Sequence, residues 1–92
     1  MIGSFRHKGL KGLFLEGTKK GVQPDHAQRL EDILDRLNAA AVIDDMNYPG
    51  SFLHPLKGDL RGCWSVRVSG NWRVTFRFKN GDAYAVDYTD YH

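Results

Sequence analysis

Apolar residues recur every three to four positions from Leu10 to Ala41, and every second position from Trp64 to Tyr88. This change of period separates a helical first half from a β-rich second half. Leu10, Leu13, Phe14 and Gly17 stand at i, i+3, i+4 and i+7, with Lys8, Lys11 and Glu16 off the stripe. Gly17 and Gly21 bracket the polar Thr18-Lys19-Lys20 and are expected to close this helix. Ahead of it, Ile2 to Phe5 reads as a short first strand.

A second helix is expected to open at Pro24, where the missing N–H costs nothing, with Asp25 favouring the positive end of its dipole. Ala27, Leu30, Ile33, Leu34, Leu37 and Ala41 form its apolar stripe, which ends between Asn38 and Val42. Glu31, Asp32 and Asp35 occupy the opposite face. Asp44 to Ser51, with Asn47, Pro49 and Gly50, reads as a linker.

Beyond Phe52 the alternation is that of strands. Trp64, Val66 and Val68 alternate with Ser65 and Arg67; Trp72, Val74, Phe76 and Phe78 alternate with Arg73, Thr75 and Arg77. Tyr84, Val86 and Tyr88 alternate with Ala85 and Asp87, and turn residues at 69–71 and 80–81 join the runs as hairpins. The expected class is α+β, with an N-terminal strand and two helices on one face of a small antiparallel sheet. The helices should cover the Trp64/Trp72/Tyr84 face, and Trp64, Trp72 and Phe76 read as core residues. At 92 residues the chain is expected to form a single domain spanning 1–92.

Register decides what the uncovered face presents, because a slip of one residue moves every side chain to the other face. A three-residue 69–71 loop sets Val68 opposite Trp72, Val66 opposite Val74, Trp64 opposite Phe76 and Arg67 opposite Arg73. A three-residue 79–81 loop sets Val74 opposite Val86, Phe76 opposite Tyr84 and Arg73 opposite Asp87. A two-residue Asn80-Gly81 turn would place Arg73 opposite Tyr88 and mix the faces, so it is not expected. Opposed arginines are unfavourable. Either they splay apart in water, or a polyanion sits between them, which the planar, bidentate guanidinium suits.

Composition narrows the setting. The hydrophobic fraction of 41% belongs to a folded protein, and the lone Cys63 cannot form an intramolecular disulfide. Arg6, His7 and Lys8 interrupt the first apolar residues, so no signal peptide is expected. No apolar run approaches the roughly 20 residues of a membrane span. A cytoplasmic protein is the expectation. The net charge of +2 hides an asymmetry: residues 54 to 79 carry +5, whereas residues 31 to 48 carry −4. One face should therefore attract an anion.

Two clusters border the basic strands, His54-Pro55-Leu56-Lys57-Gly58 before them and Asp87-Tyr88-Thr89-Asp90-Tyr91-His92 after them. Each histidine alone could be structural. Together His54 and His92 make a general acid–base pair beside an anion site. A metal site on His54, Asp90 and His92 lacks ligand spacing and a second cysteine, and no metal or other cofactor is expected.

The strings HPLKG at 54–58, GCWSVRV at 62–68, NWRVTF at 71–76 and DYTDYH at 87–92 resemble the HigB toxins of the RelE-like superfamily. The resemblance spans essentially the whole chain. It implies a compact RelE-like fold and a type II toxin that cuts messenger RNA in the A site of a 70S-type ribosome. It also implies a HigA-like helix-turn-helix antitoxin as partner. Its functional residues map onto His54, Arg73, Asp90, Tyr91 and His92, with Lys57 and Arg67 as phosphate contacts and Arg77 added on the same strand face. In that chemistry Arg73 and Lys57 stabilise charge, Asp90 orients an imidazole and Tyr91 positions a base. A non-catalytic RNA- or ribosome-binding module is the alternative, but it has no use for paired histidines. A DNA regulator is disfavoured because the best helix is acidic on its outer face.

Overall fold

The computed structural model describes residues 1–90. Helix α1 spans Lys8–Glu16 and ends at Gly17 in the left-handed conformation. Its N-terminus is capped by His7, whose Nδ1 accepts the Leu10 amide at 3.2 Å. Gly21 does not close the helix. Its backbone packs against that of Gly9, so tightly that a β-carbon on either residue would overlap the other. The stretch from Pro24 begins as a single 3-10 turn, Pro24–His26, and continues as α2, Ala27–Ala39. Ala27, Leu30, Ile33, Leu34 and Leu37 are its buried residues, as the apolar stripe requires.

The expected linker is partly helical. Ile43–Met46 forms another 3-10 turn, and Met46 is fully buried. Asp45 ties this turn to the end of α2, its Oδ2 accepting the amides of Ala41 at 2.8 Å and Val42 at 3.2 Å. Those two donors hold the carboxyl below its ordinary pKa.

Four antiparallel strands follow in sheet order β1-β2-β3-β4: His54–Pro55, Cys63–Ser69, Trp72–Lys79 and Asp82–Asp90. Both helices pack on one face of this sheet, and Val66, Val68, Val74, Phe76, Ala83, Val86 and Tyr88 meet them in a common core. The class is α+β. The N-terminal residues form no full strand. They make parallel bridges from Ile2 to Ala83 and from Phe5 to Val86, and cover the outer edge of β4 as far as Val86. No helix among the described residues is long and apolar enough to cross a membrane.

Both hairpin registers depart from expectation for the same reason. Trp64 pairs with Phe76, Val66 with Val74 and Arg67 with Arg73, as the alternation required. Ser69, however, pairs with Trp72 across a two-residue Gly70-Asn71 turn, and Val68 is the extra residue of a bulge. The second hairpin also has a two-residue turn, with Asn80 at φ 53° and Gly81 at φ 81°. Left alone, that turn would mix the faces. A second bulge, in which Ala85 (φ 51°) and Val86 of β4 stand opposite Phe76 alone, adds the missing residue. The displaced Ala85 amide donates to Ser4 Oγ at 2.9 Å. Ala83, Val86 and Tyr88 therefore all reach the core, Thr75 pairs with Asp87, and Arg73 pairs with Thr89. The expected Arg73–Asp87, Val74–Val86 and Phe76–Tyr84 pairs do not form. Tyr84 is paired with Arg77 on the uncovered face and is exposed.

Candidate active site on the open sheet face

Directly opposed residues share a face, so the pairing defines rows across the uncovered side of the sheet. One row runs His54, Ser65, Thr75, Asp87; the next runs Arg67, Arg73, Thr89; a third holds Cys63, Arg77 and Tyr84. Neighbouring strands lie about 4.8 Å apart and alternate residues about 7 Å apart along a strand. His54 and Arg73 backbones are thus separated by roughly 12 Å on this lattice. Their side chains can converge on one bound group.

His54 is exposed on the short edge strand β1. Its Nδ1 lies 3.2 Å from the Phe52 carbonyl oxygen and 3.4 Å from Ser65 Oγ. A carbonyl oxygen only accepts, so Nδ1 donates and the neutral ring keeps its lone pair on Nε2. Ser65, in the same row, is 1% exposed, with the His54 ring against its hydroxyl. Leu56 is buried and its amide donates to Cys63 at 2.8 Å, which anchors the loop carrying exposed Lys57.

Arg67 and Arg73 are opposed, and their guanidiniums part. Arg67 leans over the Phe52 ring, 5.6 Å from its centroid. Arg73 turns the other way, donating from Nη1 to the carbonyls of Gly70 at 2.9 Å and Trp72 at 3.2 Å. Asp87 does not hold Arg73; its Oδ1 accepts the Tyr88 amide at 2.9 Å. Arg77 is exposed on the other side of the His54 row from Arg73, its Nη1 standing against Gly62.

Asp90 pairs with Trp72 at the end of β4, three strands across the sheet from His54 and on the opposite parity from Arg73. The tautomer of His54 is set by the Phe52 carbonyl instead. Tyr91 and His92 lie outside the described residues. Trp72, the residue paired with Asp90, belongs to a packed aromatic group that sequence reasoning missed. Trp72 stacks on Tyr88 at 4.6 Å, and His26 and His7 meet these rings edge-on. His26 lies in a helix-start segment and Tyr88 in a strand, so spacing carried no sign that they meet.

A model of the RelE-like toxins of the type II toxin–antitoxin system HigB matches residues 3–92. This chain belongs to that family. The curated protein Endoribonuclease HigB of Proteus vulgaris is 50% identical over 92 residues, the whole of both chains. As a HigB-like toxin, the chain has an antitoxin for its partner. Among the described residues, the HigB-like open face gathers His54, Arg67, Arg73 and Arg77 on three adjacent strands, with Lys57 on the loop beside them. A donor-rich surface beside an imidazole with an exposed lone pair is suited to phosphodiester chemistry.

Proposed function

We infer that this chain is the toxin of a type II toxin–antitoxin pair and acts in the cytoplasm as an endoribonuclease on messenger RNA in the ribosomal A site. The likeness to an endoribonuclease of the same family over the full length carries this reading. The site supports it chemically. RNA supplies its own nucleophile, the 2′-hydroxyl, so no covalent enzyme intermediate is needed.

His54 is the candidate base, taking the 2′-hydroxyl proton on Nε2 while Nδ1–H stays bonded to Phe52. The new bond joins the 2′-oxygen to phosphorus, and the bond to the 5′-oxygen breaks. Arg73 swings from the Gly70 carbonyl to the phosphorane, with Lys57 and Arg67 on its other oxygens and Arg77 on a flanking phosphate. His92 is left as the acid that protonates the departing 5′-oxygen. Asp90 is assigned to orienting that imidazole and Tyr91 to stacking on a base. The antitoxin is proposed to be a HigA-like helix-turn-helix protein.

Incubation with programmed 70S ribosomes and primer extension tests the reading. Discrete cuts within the A-site codon are expected from the wild type and are lost in Arg73→Ala. Uncut messenger with the wild-type protein would refute it.

A further inference from the structure

Phe52 is 65% exposed, beside the open face. Its neighbours are fixed. Ser51 is fully buried, and its carbonyl accepts the Arg67 amide at 2.7 Å. Leu53 packs against the core. Between these anchors Phe52 takes φ 48°, a left-handed conformation that is unfavourable for a bulky side chain. Its carbonyl receives His54 Nδ1, and Arg67 stands over one face of its ring. The backbone therefore accepts strain and displays an apolar ring in water, one residue away from β1 and in line with the Arg67–Arg73 row. Core packing does not account for it.

We propose that Phe52 is a base-stacking residue of the RNA site, taking an unstacked nucleobase of the single strand on its free face. The Arg67 guanidinium polarises the opposite face and holds the adjoining phosphate, so one residue pair grips base and backbone together. Every base has a π-face, so the contact tolerates sequence. This rests on the reading of the site given above, and deepens it.

The test is single-turnover cleavage on programmed ribosomes by wild type, Phe52→Ala, Phe52→Trp and Arg73→Ala. Messengers carry a normal base or an abasic nucleotide at each position of the A-site codon and its flanks. Phe52→Ala is expected to lose about tenfold in cleavage efficiency and Phe52→Trp to keep it, both with wild-type thermal midpoints. At one position the abasic messenger should slow the wild type about as much and Phe52→Ala no further. Wild-type efficiency in Phe52→Ala, or losses that add at every position, overturns the stacking role. Weakened antitoxin binding with unchanged cleavage makes the ring a protein contact and overturns it too. Arg73→Ala cutting at the wild-type rate would instead remove the site on which the proposal rests.

Discussion

The hydroxyl of Tyr88 and Nδ1 of His26 are 2.6 Å apart, joining β4 to the 3-10 turn before α2 across 62 residues of sequence. Because Tyr88 also stacks on Trp72, this bond clamps the end of β4 where its outer edge is no longer covered by the N-terminal residues. Tyr88→Phe keeps the ring and removes the bond. A loss of about 1 kcal/mol is expected, which lowers the thermal midpoint by about 4–8 °C in a chain of this size. Differential scanning calorimetry reads it directly, and an unchanged midpoint would show that the bond carries no stability.

Burial pushes the Tyr88 hydroxyl above its ordinary value of 10; the Gln23 backbone opposes this and the Asp90 charge adds to it. Burial likewise raises Tyr48, with Arg36, 4.4 Å over its ring, pulling the other way. A phenol that holds its proton more tightly when folded favours the unfolded state once the pH exceeds the unfolded pKa. Stability should therefore be flat from about pH 8 to 10 and fall above it. Urea titrations between pH 8 and 11 check this, and Tyr88→Phe should flatten the alkaline decline.

Arg73 depends on its own turn for its resting position, not on Asp87. Arg73→Ala and Arg73→Lys are both expected to reduce cleavage, by about 10²–10³-fold for alanine, because an ammonium cannot form the planar fork. Asp87→Asn should cut within about twofold of wild type, because its Oδ1 bonds the Tyr88 amide and not Arg73. Rates on programmed ribosomes separate the two. A loss in Asp87→Asn equal to that of Arg73→Ala would mean that the carboxylate acts on Arg73 after all.

His54→Ala should lower the single-turnover rate by about 10²–10⁴-fold while leaving the fold and antitoxin binding intact, since the side chain is exposed on an edge strand. Size-exclusion recovery of the antitoxin complex supplies the folding control. A wild-type rate would move the base elsewhere.

The acidic side of α2 faces away from the sheet, which α2 itself covers. Asp32 and Asp35 line a surface groove there with Arg36 and Tyr48. Reversing Glu31 and Asp35 to Lys is expected to leave cleavage within about twofold of wild type. A large loss in the folded variant would place RNA on the helical side.

Periodicity alone located both helices, the three long strands and most of the core, because burying one face of each element forces its apolar spacing. The Arg67–Arg73 opposition also followed from alternation, since those strands pair regularly between Trp64 and Arg67. The family was recognisable from the strings at 54–58, 62–68, 71–76 and 87–92. Tertiary structure decided the rest. Loop length is not legible in either hairpin, because a two-residue turn with an adjoining bulge consumes as many residues as a three-residue loop. The choice between them depended on a partner for the displaced amide, and Ser4 supplies it from 81 residues away. The His54 tautomer, the clamp on Tyr88 and the outward Phe52 ring rest likewise on contacts between segments that no local spacing links, and these contacts appear only when the sheet brings the segments together.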